Sequence, residues 1–217
     1  EMIIKYCDAK EVIAMEARSW PKYDKALSKN SHLYTRLYNS GPAHIDKVLR
    51  WSNFANWLNE TNLPPPRICL PTDNLKLINP YTRATVILVP FSAIKEKQSS
   101  PRVFRSIIKH LGSGYDFIVV AGPKDFDTNN EYLDLLKTPN TTIDTSTFEE
   151  LVPKLVGADL VVSVDTAIMH LAAGLGVPTG CIASAAYVNE IVPYSPIIMP
   201  KNIRFVFKSM DCQGCLG

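Results

Sequence analysis

Long apolar runs are missing from this sequence, and so is any strong excess of charge. No hydrophobic stretch approaches the length that crosses a bilayer, and no signal-peptide pattern opens the chain. Lys and Arg number 23 against 21 Asp and Glu, and the formal net charge of +2 gives no argument for nucleic acid or a strongly anionic partner. The 5 cysteines are odd in number and irregular in spacing, so a disulfide framework is not expected and a reducing, cytoplasmic setting is. Internal repeats and low-complexity tracts are absent. No G-x-G-x-x-G follows the first strand of the alternating region, which argues against a dinucleotide-dependent dehydrogenase. What remains is a chain of 217 residues, 46% hydrophobic, enough for one sizeable core or two small ones.

The most informative stretch is Ala158–Pro178, ADLVVSVDTAIMHLAAGLGVP. Leu160–Val164 is a nearly continuous apolar run, the pattern of a strand buried on both faces. The chain turns at Asp165-Thr166 and becomes a small-residue helix, Ala167–Leu175, which Gly176 and Pro178 stop. Asp165 or Thr166 can cap that helix, and its free N–H groups point out of the strand's carboxyl end. An open α/β sheet collects ligands there, and a helix N-terminus attracts phosphate. His170, four residues after Thr166, shares its face.

From Thr85 onward strands alternate with helices. Strands are expected at Val86–Val89, Phe117–Ala121, Thr141–Asp144, Leu160–Val164 and Gly180–Ala183. Helices are expected from Pro101 to near Leu111, over Glu131–Lys137 and over FEELVPKLV, the last capped by Ser146 or Thr147 with Glu149 or Glu150. This alternation predicts an α/β fold, a Rossmann-like doubly wound parallel sheet. Four loops then meet along one edge, carrying Ser92, Lys95 and Lys97; Gly122; Thr145–Thr147; and Asp165 with Thr166.

The preceding part has a different character. Short apolar runs, Met2–Cys7 and Glu11–Ala17, are strands or the tail of a helix–strand unit. Tyr34-Leu37-Tyr38 and Val48-Trp51-Phe54-Ala55-Leu58 predict two helices, the second from about Ala43 to Glu60, with their aromatic stripe packed in a core. Pro64-Pro65-Pro66 imposes an extended linker. Residues 1–80 are therefore expected to form a first, partly helical segment and residues 81–217 the Rossmann-like domain. The sequence begins at Glu1, not Met, and reads as cut from a longer chain. Cys212-Gln213-Gly214-Cys215 is half of a tetrahedral metal site and lacks two ligands, so no metal is expected.

DTAIMHLAAGLGVP resembles the D-[ST]-G-x-x-H-L-A-A-A-L-G-x-P signature of glycosyltransferase family 9, the ADP-heptose:lipopolysaccharide heptosyltransferases and their relatives. Ala167 stands where the family has glycine. His44 with Asp46–Arg50 resembles the family's helix before its second domain, FIVVAGP its v-v-l-x-G-G-p strand with Ala121 for one glycine, and Thr145–Leu151 its t-s-l-x-e-l stretch beneath the donor nucleoside. The family's K-x-W-P is broken here, since Lys97 is followed by Gln98-Ser99-Ser100-Pro101. A short Cys-x-x-Cys near the position of Cys212 and Cys215 is also common in the family.

The resemblance implies a GT-B glycosyltransferase whose second domain holds a nucleoside-diphosphate sugar, with an ADP-sugar favoured. It implies inverting transfer of a heptose-like sugar to a saccharide or glycolipid acceptor in lipopolysaccharide or cell-surface glycan synthesis, without a cofactor. The setting implied is cytoplasmic, peripheral to the inner face of the bacterial inner membrane. Donor-binding candidates are Ser92, Lys95, Lys97, Gly122, Thr147, Asp165, Thr166, Ala167 and His170. Thr166 and neighbouring N–H groups would hold the pyrophosphate, Lys97 or Lys95 would offset its charge, and Asp165 would fix the loop. The family's catalytic base lies in an N-terminal region with which this chain does not align, so no base is named. The expectation is a chain that binds donor but does not complete transfer alone. A sugar-nucleotide epimerase and a non-catalytic nucleotide-sugar or protein-binding module are the alternatives.

Overall fold

A computed structural model of the chain describes residues 9–16, 28–42, 44–73, 79–188, 190–211 and 213–214. The Met2–Cys7 run, the start of the first expected helix, and Cys212 and Cys215 lie outside the described residues. The chain divides into two units, Glu1–Pro66 with Asn189–Ile197, and Arg67–Val188 with Ile198–Gly217.

In the first unit, β1 (Ile13–Met15) pairs in parallel with β2 (Arg36–Tyr38), Ile13 opposite Arg36 and Met15 opposite Tyr38. The helix expected through Tyr34-Leu37-Tyr38 is thus a strand, preceded by a 3-10 turn at Ser31–Leu33. A three-residue apolar spacing is too short to fix a period. The pairing decides it: the Thr35 N–H donates to the Val12 carbonyl at 2.8 Å and the Glu16 N–H to the Tyr38 carbonyl at 2.8 Å. Helix α1 runs Lys47–Asn59 and starts later than the expected Ala43, because Asp46 caps it by accepting the Val48 N–H at 2.8 Å. Its aromatic stripe packs on itself and not in a closed core. Phe54 and Trp57 both meet the Tyr38 ring, Arg36 lies over Trp57 at 4.7 Å, and Trp51 is 58% exposed. The buried member of α1 is Arg50, which donates to the Ser40 and Pro42 carbonyls.

The second unit is built on six parallel strands in the order β5-β4-β3-β6-β7-β8: β3 (Thr85–Val89), β4 (Asp116–Val120), β5 (Thr141–Asp144), β6 (Leu160–Val164), β7 (Thr179–Ile182) and β8 (Ile203–Val206). Sequence analysis anticipated all but β8. Every residue of β3 is buried, and its side chains part to opposite faces as strand geometry requires. Val86 and Leu88 join Phe104, Ile108, Phe117 and Leu135 in one core; Ile87 and Val89 join Leu151, Leu155, Val161 and Ala172 in the other. Two cores on one sheet are what a doubly wound fold means.

Helix α2 (Pro101–Leu111) begins with Ser100 as cap and Pro101 in the first turn, and ends at Gly112. A short α3 (Asp125–Thr128) leads into a 3-10 helix at Asn130–Lys137, tighter than the expected α-helix there. Helix α4 (Phe148–Gly157) opens with a complete capping box, Thr147 and Glu150 each bonding the other's backbone. Helix α5 (Ala167–Gly174) follows β6 directly. Among the described residues no helix is long and apolar enough to cross a membrane.

Candidate functional site

Strand order reverses between β3 and β6: from β3 the chain winds outward to β4 and β5, and from β6 outward to β7 and β8. Ligands of open α/β sheets sit in the crevice this reversal opens at the strands' carboxyl ends. A cleft of about 320 Å³ lies there, and four loops contribute its walls. Ser92 and Ala93 come from the loop after β3, Gly122 and Asp125 from that after β4, Thr145 and Ser146 from that after β5, and Thr166 from the turn after β6. Its floor is apolar, with Val89, Phe91, Val120, Leu151 and Ile168, and Phe148 presents a ring that is 54% exposed.

The polar groups around the cleft are tied down. The Asp125 carboxylate accepts the Gly122 N–H at 2.6 Å, fixing the glycine turn. Asp144 accepts the Ser146 N–H at 2.8 Å, and Lys154 donates to both the Asp144 carboxylate and the Ser146 hydroxyl at 2.6 Å. Burial works against ionisation of Asp144, but the bonds and charge from Lys154 and Ser146 outweigh it and hold the carboxyl below the usual range. The Thr145-Ser146 wall is therefore braced from α4.

Beneath the turn after β6 lies an ion pair. Lys97 is 8% exposed and donates to Asp165 Oδ2 at 2.6 Å; Asp165 is 2% exposed. His170 Nε2 lies 3.4 Å from Asp165 Oδ1. The Tyr187 ring covers the Lys97 ammonium at 4.2 Å. Burial opposes the charge on Asp165, but His170 and Lys97 together hold its carboxyl below the usual range. Cys181, buried close by, has its thiol pushed up by burial and by Asp165, which keeps it protonated. No side chain caps α5: Thr166 occupies the cap position without a side-chain bond, and Asp165 is turned to Lys97. The Met169 and His170 N–H groups donate to the Thr166 carbonyl, and those of Ala167 and Ile168 are the ones a helix start cannot pair within itself.

The profile of glycosyltransferase family 9 (heptosyltransferase) matches residues 50–196. The chain belongs to this family. Its fold agrees with solved members. A glycosyl transferase family 9 protein from Veillonella parvula DSM 2008 superposes with a TM-score of 0.61 at 12% identity, covering 95% of this chain and 66% of that one. E. coli heptosyltransferase WaaC with ADP gives a TM-score of 0.58 at 18% identity, covering 96% and 70%. WaaC with ADP-2-deoxy-2-fluoro heptose gives 0.55 at 18%, covering 86% and 56%. This chain thus spans roughly 40 to 70% of the length of the solved structures it matches. No curated protein matches it.

Within this family frame, Ser92, Gly122 and Thr166 line the cleft together. Thr147 lies beside it as the cap of α4, while Asp165, Ala167 and His170 form or adjoin the turn. The two lysines are placed elsewhere. Lys95 donates to Asn129 and lies 3.5 Å from Glu131, and Lys97 is held by Asp165, so neither side chain lines the cleft. Ser146, from the expected Thr145–Thr147 loop, lines it, as do Asp125 and Phe148, which escaped sequence analysis as individual residues. Their signal was position alone: each follows the carboxyl end of a strand within a few residues.

Proposed function

We propose that this chain holds the nucleoside diphosphate of an activated sugar across the β3–β6 reversal, as the donor half of an inverting glycosyl transfer. The observation that carries the reading is the four-loop cleft, which is apolar within, edged by hydroxyls, and free of lysine and arginine among its described lining residues. Such a lining suits a nucleoside better than a phosphate chain. The base would lie against Phe148 and the apolar floor, and the ribose hydroxyls would donate to Asp125, the role an acidic group takes in related folds.

The pyrophosphate then falls at Thr166 and the N-terminus of α5, where backbone N–H groups and about half a positive charge meet it. Ala167 permits this approach with one methyl more than glycine. The Lys97 ammonium, 2.6 Å from the Asp165 carboxylate, offsets the charge of Asp165 beside the phosphates. As bond cleavage builds charge on the leaving diphosphate, fixed N–H dipoles stabilise it without reorganising. An acceptor hydroxyl attacks the anomeric carbon from the opposite face, its proton passes to a base that we do not assign, and the nucleoside diphosphate leaves.

An ADP-sugar donor, a heptose-like sugar, a saccharide or glycolipid acceptor and a role in lipopolysaccharide synthesis at the cytoplasmic face are part of this proposal. They are supported by family membership and by the ADP and ADP-sugar ligands of WaaC. The test is to titrate ADP-heptose into the chain by calorimetry: saturable binding that ADP competes for supports the reading, and no binding refutes it.

A further inference from the structure

Asn129 is 4% exposed and does not line the cleft, yet both ends of its amide are bonded to residues that bear on it. Lys95 donates to its Oδ1, and its Nδ2 donates to the Asp125 carbonyl at 2.8 Å and to Thr128 Oγ1 at 3.0 Å. Chemistry fixes that orientation: an ammonium only donates, so the amide atom facing Lys95 is the oxygen and the NH2 faces Asp125. We propose that Asn129 is a positioning residue of the donor site, one that holds Asp125 in place for the ribose hydroxyls and ties its turn to the loop after β3.

This inference rests on the donor site proposed above and assigns a role within it. Asp125 opens α3, a helix of a single turn that is too short to be stable by itself. Its N–H donates to the Gly122 carbonyl at 3.1 Å, and its Oδ2 accepts the Gly122 N–H at 2.6 Å. Those two bonds close the Gly122–Asp125 turn on itself without anchoring it to anything deeper. The anchor is the Asp125 carbonyl, held by Asn129 from a buried position. Asn129 is fixed in turn from its far side by Lys95, the first residue of the 3-10 turn Lys95–Lys97, whose last residue reaches Asp165. Other contacts join the same two loops: the Phe91 ring meets Phe126 at 5.2 Å and Tyr132 at 4.9 Å, and the Tyr132 hydroxyl donates to the Ser99 carbonyl. The walls carrying Ser92 and Asp125 are therefore held together, with Asn129 as their buried polar link. Oδ2 of Asp125 is spent on the turn, which leaves Oδ1 for the ribose. A hydroxyl bonds a carboxylate only within about 3 Å, so a displacement of about 1 Å at Asp125 breaks the contact. That loss falls on the ribose, because Phe148 and Thr166 stand on other loops.

The test uses the full chain, ADP and 2′,3′-dideoxy-ADP, and the variant Asn129→Asp. The substitution keeps the side chain's shape and the acceptor for Lys95, and sets an oxygen against the Asp125 carbonyl in place of a donor. Calorimetry measures both nucleotides, and amide exchange at Gly122 is followed without ligand. The unmodified chain should bind ADP at least tenfold more tightly than the dideoxy analogue. In Asn129→Asp the affinity for ADP should fall at least fivefold while that for dideoxy-ADP changes less than twofold, and Gly122 exchange should rise at least fivefold. Equal weakening of the two nucleotides, no weakening of either, or unchanged Gly122 exchange overturns the inference, since a general loosening of the fold would not single out the ribose. If Asn129→Asp does not fold, Asn129→Ala is put through the same comparison and decides by the same outcomes. Failure of the unmodified chain to bind ADP, or equal binding of the two nucleotides, would count against the donor-site reading, and the Gly122 exchange comparison would still decide whether Asn129 holds the Asp125 turn.

Discussion

Replacing Asp165 by alanine leaves the Lys97 ammonium in the interior without its carboxylate. The two side chains are 9% and 2% exposed, so solvent screens the pair little. Removing one partner of a buried pair typically costs about 3–5 kcal/mol. Domains of this kind have a total stability of roughly 5–15 kcal/mol. With a urea dependence of about 2 kcal/mol per molar, the unfolding midpoint of the second unit should fall by roughly 1.5–2.5 M at pH 7. The effect has a defined pH signature. The folded carboxyl of Asp165 ionises below its ordinary value of 3.8, so the unfolded chain takes up the proton more readily as the solution is acidified. The pair's stabilisation is complete above that ordinary value and is lost as pH falls through the lower, folded one. The gap between the native and Asp165→Ala chains should therefore be full at pH 7 and shrink below about pH 4. Equilibrium urea unfolding followed by circular dichroism, from pH 3 to 7, measures it. A midpoint shift under 0.5 M at pH 7 would refute the reasoning, because it would mean that Lys97 reaches water at little cost.

Phe104 is fully buried between α2 and the sheet, and Phe104→Ala should cost about 3–5 kcal/mol in the same unfolding assay. Thr147→Ala removes the α4 capping box and should cost about 1 kcal/mol, with fraying of the first turn visible as faster amide exchange at Glu149 and Glu150. Lys154→Met releases the brace on Ser146. It should weaken nucleotide binding severalfold by calorimetry while leaving the far-ultraviolet spectrum unchanged, and it should bring the Asp144 carboxyl up toward the ordinary carboxylate range in an NMR titration.

The alternation that fixes the sheet was plain in the sequence because the helices carry start or stop signals: Ser100-Pro101 opening α2, Thr147 with Glu150 opening α4, Gly176 and Pro178 after α5. Three features were less legible, for separate reasons. β2 is three residues long, and Tyr34, Leu37 and Tyr38 fit a helical stripe until Val12 supplies hydrogen bonds from far away in sequence. β8 alternates over only four residues and follows turns, without the helix that announces the other strands. The candidate site was legible mainly as loops: Ser92, Gly122 and Thr166 line the cleft, whereas Lys95 and Lys97 do not. A sequence places Lys97 after β3 but does not show that one 3-10 turn points it to Asp165, and it gives no reason to prefer Asp125 over its polar neighbours.

The central claim is that the four-loop cleft is the site of a nucleoside diphosphate, and thermal unfolding with ADP, UDP and GDP tests it most directly. A ligand that binds only the folded chain, supplied at about one hundred times its dissociation constant, adds about 2.7 kcal/mol. At about 2–4 °C per kcal/mol for a chain of this size, that is a rise of roughly 5–11 °C. The account predicts such a rise for ADP, smaller for UDP and GDP, and lost when Phe148 and Asp125 are both replaced by alanine. An equal rise in that double variant, or no rise with any nucleotide, would contradict it.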